Sequence, residues 1–312
     1  MSPPGRLPAP RYVDLDGVRV ATYVLEPSRT EPVGDVVLCH GTPWSAAVWA
    51  PVAHALAATH RVLLWDMPGY GASIPTGPPG QDPAVDLEAQ RRRLVTLLQH
   101  WDLRAPHVVA HDVGGAVALG AHLLEGSAFA SLYLLDVVTL DPWGSPFFRL
   151  VAEHEAVFAA LPAPLHAALV REYVAGAIRG SLDAHQVDEL VAPWTTPHGQ
   201  RAFYAQVARL GPAHTRPVVE RLGHTRCPVA PGGAGGRARG PARGPRRRVH
   251  APRGRAPGAP RGTGPPRRRP QALARPRPMT ALASENVGDK PDGPGGLSPD
   301  GAVGSSVWRC GR

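Results

Sequence analysis

The sequence predicts an α/β protein with a mainly parallel sheet, and three observations carry that expectation. Short apolar runs such as Asp35-Val-Val-Leu-Cys39 and His60-Arg-Val-Leu-Leu-Trp65 alternate with longer amphipathic stretches. Such alternation is the pattern of crossover units that bury both faces of a sheet. Each apolar run also ends in a loop that mixes glycine with polar residues, which is where α/β proteins gather their chemistry. At 312 residues the chain is long enough for one large domain with an inserted segment.

The elements follow in order. Tyr12 to Leu15 and Val18 to Tyr23 flank Asp16-Gly17, a pair that favours a tight hairpin. Asp35 to Cys39 reads as a buried strand, Ala46 to Ala58 as a helix, and His60 to Trp65 as a second buried strand. Pro83 to His100 reads as a charged amphipathic helix, His107 to Ala110 as a strand, Val113 to Leu124 as a helix, and Ser131 to Val137 as a strand. The core is thus expected over 11–138. From Thr139 to His224 the strands stop, and apolar spacing at helical period runs through Phe147 to Leu161, Leu165 to Ile178 and Gln200 to Leu210. A helical cap over the strand ends is expected at 139–224, and residues 225–230, with Cys227-Pro-Val-Ala230, open a further core strand.

That strand is not expected to continue. From Pro231 the chain becomes rich in Arg, Gly and Pro and nearly free of Ile, Leu, Val and Phe, so segment 231–312 is expected to be disordered. Between Pro231 and Pro278 lie 14 arginines and no Lys, Asp or Glu; subtracting them from the +9 of the whole chain leaves −5 for the remainder. The basicity therefore belongs to one segment. A nucleic-acid-binding arm is the alternative, but the segment lacks aromatic residues for stacking and begins where the sheet needs a strand. A shifted reading frame near Val229 accounts for both features, because a GC-rich gene read out of frame yields Arg, Gly, Pro and Ala. Nucleic acid is thus an expected partner only through this tail, if the tail is genuine.

Cys39, Cys227 and Cys310 show neither metal-ligand spacing nor a disulfide framework, which fits a reducing compartment. The first ten residues contain no apolar core of a signal peptide, and no run is long enough to span a bilayer. A cytoplasmic protein with a small-molecule substrate and no membrane partner is expected.

The chemistry centres on "VVAHDVGGAVAL", residues 108–119. Asp112 stands between a strand and a helix, with Ala110 and Gly114 two residues to either side. Small residues at those offsets permit the sharp turn of a nucleophile elbow, with aspartate where serine is commoner. The helix N-terminus beneath would favour the ionised carboxylate. Capping of that helix is the plainer role for the same residue. Two companions favour the elbow. In His40-Gly41-Thr42-Pro43, a backbone N–H near Thr42 can join that of Val113 in an oxyanion-type pair. Asp66-Met-Pro-Gly-Tyr-Gly-Ala-Ser73 follows the next strand, so three such loops close three strands.

On "HGTPWSAAVW", "DMPGYGAS" and "HDVGG" the chain resembles the α/β-hydrolase superfamily, in the branch of haloalkane dehalogenases and epoxide hydrolases. The likeness runs from about Tyr12 to Val229. It implies a mainly parallel eight-stranded sheet, a helical cap after the sixth strand and no dissociable cofactor; no metal-ligand set is expected either. It also implies an alkyl-enzyme ester on Asp112, hydrolysed by water that a histidine activates and an acid orients. Two positions depart from the dehalogenase pattern: Thr42 stands where Asn is frequent, and Val113 where Trp is typical. Both usual side chains hold the departing halide, so an epoxide substrate is favoured. Tyr204, in "GQRAFYAQ", resembles a cap tyrosine that protonates the departing oxygen, with Tyr173 the poorer candidate; a core aromatic is the plainer role for each. Asp136 is either the orienting acid or a loop-capping carboxylate.

The base is the main absence. Beyond residue 220 only His224 and His250 remain; the first precedes a strand and faces the wrong end of the sheet, and the second has nothing to position it. The chain as written is therefore expected to form the ester without turning over. An unpaired strand at Ser131 to Val137 would also be an aggregation hazard. The alternatives are a haloalkane dehalogenase-like hydrolase and a non-catalytic fold whose basic tail binds nucleic acid or an acidic partner. A serine esterase is disfavoured, since no serine occupies an elbow.

Overall fold

The structure is a computed structural model that describes residues 6–28, 31–178 and 183–232. Strands β1 (Arg11–Leu15) and β2 (Val18–Leu25) form the expected hairpin, with Leu15 opposite Val18. Asp16 and Gly17 turn it with φ of 54° and 79°, the left-handed pair that a two-residue hairpin turn requires. Five further strands follow: β3 (Asp35–Cys39), β4 (Arg61–Trp65), β5 (His107–His111), β6 (Ser131–Leu135) and β7 (Val229–Gly232). Their order in the sheet is β1-β2-β4-β3-β5-β6-β7. Only the pairs β1/β2 and β2/β4 are antiparallel, so the ends of β3, β4, β5, β6 and β7 point the same way.

The central strands read as continuous apolar runs because helices cover both faces. Val37, Leu38, Cys39, Val62, Leu64 and Trp65 expose no surface. Helix α1 (Ala50–Leu56) packs on one face through Ala53, while α2 (Leu87–His100) and α3 (Val113–Leu123) lie on the other through Leu94, Leu97, Val117 and Ala121. Each large aliphatic side chain buried this way contributes about 1.5–3 kcal/mol. Two helices start later than expected from periodicity alone. Ala46–Trp49 is a 3-10 turn capped by Ser45 before α1 begins. Helix α2 begins at Leu87 rather than Pro83, because the Asp86 side chain accepts from Ala89 N–H at 2.9 Å and fixes the cap there.

Between β6 and β7 run α4 (Pro146–Ala159), α5 (Ala163–Gly176), α6 (Ala184–Val191), α7 (Pro197–Arg209) and α8 (Arg216–Glu220). Helices α4, α5 and α7 overlap the three apolar-spaced stretches. Helix α6 was not expected: it buries only Val191 and starts from a reciprocal capping box between Asp183 and Gln186.

The strand opened by Cys227-Pro-Val does arrive, contrary to expectation. Strand β7 pairs in parallel with β6, Leu132 opposite Val229 through Leu135 opposite Gly232, and Leu132 N–H donates to Pro228 O at 2.9 Å. Backbone pairing needs no apolar side chain, so Pro231 and Gly232 extend it, and β6 is not an exposed edge. Seven strands are present among the described residues, against eight implied by the resemblance. The rest of the Arg-, Gly- and Pro-rich segment, with its expected disorder and shifted frame, lies outside the described residues.

Candidate active site

The turn at Asp112 is strained and held. Asp112 has φ of 52° and ψ of −125°, between the last residue of β5 and the first of α3. A non-glycine residue held in such a sparsely populated conformation costs of order 1–3 kcal/mol and persists only when its surroundings enforce it. Here Asp112 N–H donates to Leu135 O at 3.0 Å and Gly115 N–H to Asp112 O at 3.0 Å. The small residues after Asp112 are required by packing: a Cβ on Gly114 would run into the His40 carbonyl at the end of β3. The Asp112 side chain makes no capping hydrogen bond to the N–H groups of the first turn of α3 beyond Val113.

The carboxylate instead faces the loop after β3. Thr42 N–H donates to Asp112 Oδ2 at 2.8 Å, and Val113 N–H bonds the same carboxylate. Gly41 makes this approach possible, since a Cβ there would lie 2.5 Å from Asp112 Cβ and 2.8 Å from Oδ2. Burial pushes the Asp112 carboxyl up from the ordinary carboxylate value, and the nearby Asp136 charge adds to it; His111 and the two N–H groups oppose the shift without cancelling it. The expected support for the ionised form comes from these N–H groups, and desolvation outweighs it.

His40 and Asp66 brace the loops rather than face a substrate. His40 is fully buried; its Nε2 accepts from Met67 N–H at 3.0 Å, so its Nδ1 carries the proton and donates to Gly41 O at 2.9 Å. Asp66 accepts from Tyr23 OH at 2.9 Å, Ala46 N–H at 2.7 Å and Ala72 N–H at 2.8 Å. The "HG" and "DMPGYGAS" loops are therefore pinned to one another, and through Thr42 to Asp112.

Tyr204 is engaged by a buried histidine. It is fully buried and lies 2.9 Å from His166 Nδ1. His166 Nε2 lies 2.9 Å from Trp194 O, which can only accept, so Nε2 carries the proton and Tyr204 OH donates to Nδ1. Burial pushes the phenol up to about 12. The sequence pattern identified a buried tyrosine but not the partner that occupies its proton.

Asp136, at the end of β6, is exposed, has φ of 43° and acts electrostatically on Asp112. Among the described residues it has no hydrogen bond to a histidine, so nothing there gives it a base to orient. His224 sits in an exposed turn (Leu222–His224) before the start of β7, at the opposite end of the sheet from Asp112, as expected. His250 lies outside the described residues.

A family model described as alpha/beta hydrolase fold matches residues 35–176. An alpha/beta hydrolase fold protein from Burkholderia ambifaria is 38% identical, with a TM-score of 0.67 over 72% of this chain and 80% of that one. The chain belongs to the α/β-hydrolase fold family. Among curated relatives, the dihydrolipoyllysine-residue acetyltransferase component of the acetoin cleaving system of Pseudomonas putida is 32% identical over 41% of this chain and 32% of its own length. A fluoroacetate dehalogenase of a Burkholderia species is 31% identical over 33% of this chain and 34% of its own length. The chain thus spans about a third of these two curated relatives.

In this α/β-hydrolase fold the segment after β6 supplies residues that sequence spacing did not single out. Trp194 Nε1–H donates to Pro43 O at 3.0 Å, and Arg201 pairs with Asp82 at 2.8 Å. Gln206, fully buried on α7, accepts from Tyr70 OH at 2.6 Å and Thr42 OH at 3.0 Å. Its one sequence signal is a polar residue among Phe203, Val207 and Leu210 on an apolar helical face. Tyr173, ranked below Tyr204 by sequence, packs its ring on Phe147, Phe148 and Phe203, and its phenol is pushed up by burial and by the charge of Asp112. An open cleft of about 600 Å³ is lined by Trp143, Phe148, Arg149 and His214 and does not include Asp112. Among the described residues no cluster of three metal-ligating side chains occurs, and no helix is long and apolar enough to cross a membrane.

Proposed function

We propose that this α/β hydrolase attacks small apolar epoxides through Asp112. The observation that carries the reading is the 2.8 Å hydrogen bond from Thr42 N–H to Asp112 Oδ2 at a strained strand-to-helix turn. With Oδ2 held by the Thr42 N–H and the Val113 N–H beside the carboxylate, Oδ1 is the oxygen left to attack saturated carbon. The same two N–H groups then face the ester carbonyl and support the oxyanion that forms when water adds to it.

Opening an epoxide requires a proton for the departing oxygen. Tyr173 supports that role better than Tyr204: its hydroxyl has no hydrogen-bond partner among the described residues, and its phenol responds to the charge of Asp112. The helices from α4 to α7 act as the cap that shields this reaction, Trp194 and Arg201 fastening them to the core. Since no described histidine bonds Asp112 or Asp136, the reading extends to one alkylation per chain and no turnover.

Mass spectrometry after mixing the full chain with 1,2-epoxyhexane tests this. The expected result is a single adduct on the peptide bearing Asp112; an adduct elsewhere, or sustained diol formation, counts against it. A halide as leaving group is the second reading, favoured by the fluoroacetate dehalogenase relative. It is tested by offering 1-bromohexane in place of the epoxide and comparing rates of Asp112 alkylation.

A further inference from the structure

The cap contributes a buried amide of which one end is bound to the core and the other is unpaired. Gln206 exposes no surface, and its Oε1 accepts two hydrogen bonds, from Tyr70 OH at 2.6 Å and Thr42 OH at 3.0 Å. The shorter distance is that of an O–H···O bond rather than an N–H···O bond, which fixes which end of the amide faces Tyr70. Nε2 is then left buried with no partner among the described residues. An unmade hydrogen bond on a buried amide is costly, so the position favours a molecule that supplies an acceptor.

The place of this donor narrows what that molecule is. Thr42 gives its hydroxyl to Gln206 and its N–H to Asp112, so one residue ties the amide to the nucleophile. Tyr70, the other partner of Gln206, feels the Asp112 charge as well. Near the attacked carbon, the substrate atom that gains negative charge is the leaving atom.

We infer that Gln206 is a substrate-binding and specificity-determining residue, whose Nε2–H donates to the oxygen that departs as Asp112 attacks. The inference rests on the Asp112 reading and adds the group that recognises the leaving atom. Oδ1 of Asp112 forms a bond to carbon, the carbon–oxygen bond breaks, and its electron pair stays on oxygen. Gln206 supports that charge but gives up no proton. The proton comes from the Tyr173 phenol, and the phenolate is reprotonated from solvent. The class of substrate selected is one whose leaving atom is an oxygen with an open lone pair, a neutral aliphatic epoxide.

Two measurements on the full chain test the inference separately from the nucleophile. In the first, the Asp112→Asn variant is labelled with 15N-glutamine, and the Gln206 side-chain amide signal is assigned by its loss in Gln206→Met. Addition of 1,2-epoxyhexane is expected to move that signal; an unmoved signal overturns the proposal whether or not Asp112 is a nucleophile. In the second, Asp112 alkylation is timed with 1,2-epoxyhexane and 1-bromohexane in the chain with Asp112 intact. Gln206→Met is expected to slow the epoxide by roughly tenfold or more, as loss of a hydrogen bond to a charged acceptor does, and the bromide by less. Equal slowing of both reagents identifies Gln206 as a packing residue and overturns the proposal. A moved signal with no alkylation of Asp112 supports Gln206 as the ligand donor and counts against the nucleophile instead.

Discussion

Thr42 and Asp112 are 70 residues apart in the chain, yet Thr42 N–H donates to Asp112 Oδ2 at 2.8 Å. Only a glycine at position 41 lets the two loops close to this distance. Gly41→Ala is therefore expected to push Asp112 out of its place, cutting its alkylation by about a hundredfold and destabilising the fold by about 1–3 kcal/mol. Adduct formation by mass spectrometry and thermal melting read the two effects.

Alkylation of Asp112 needs the carboxylate, and burial raises that carboxyl. The rate is expected to rise with pH through a single ionisation whose midpoint lies above the ordinary carboxylate value. A rate that has already levelled off at pH 4 contradicts the burial argument.

The same shift has a sign for stability. With its folded pKa raised above the unfolded value, Asp112 contributes stability below the unfolded pKa and loses it as pH rises through the folded one. Removing the charge in Asp112→Asn is expected to abolish alkylation and to raise the melting temperature at pH 8, with a smaller gain at pH 4. A variant equally stable or less stable at both pH values refutes this.

The two tyrosines are expected to separate by function. Tyr204→Phe leaves His166 Nδ1 without its donor and is expected to cost about 1–3 kcal/mol of stability while leaving the rate of Asp112 alkylation unchanged. Tyr173→Phe is expected to do the opposite, slowing the epoxide reaction by roughly tenfold or more with little change in melting. Exchange of the two phenotypes restores Tyr204 as the acid.

His166 is held neutral by burial, its pKa lowered from the ordinary histidine value. Its contribution is complete above the unfolded pKa, about 6.5, and declines as pH falls below that value toward the lowered folded one. Melting temperature is expected to drop from pH 7 to pH 5 more steeply in the unaltered protein than in His166→Gln. Parallel curves assign the acid sensitivity to other groups, such as the equally buried His40.

Much of the fold was legible because it rests on periodicity and local chemistry. The run Asp35–Cys39 has no solvated face to interrupt it, so it reads as a buried strand at its observed bounds. Asp16-Gly17 carries its turn in two residues, and Asp112 with Gly114 announces the elbow by small side chains where chains must touch. Helix α6 was missed because a polar capping box, not an apolar stripe, initiates it. Strand β7 was cut short because Pro231 and Gly232 read as breakers, whereas pairing with β6 uses only the backbone.

By itself the sequence determined the order of most strands and helices, the sharp turn at Asp112 and the glycines that let loops meet, because each depends on a few neighbouring residues. Only the tertiary structure decided which side chains surround Asp112. It committed Tyr204 to His166, gave Thr42 and Tyr70 to Gln206, and raised the Asp112 carboxyl through burial. Those outcomes depend on contacts between segments more than thirty residues apart, where distance and desolvation act and local pattern carries no information.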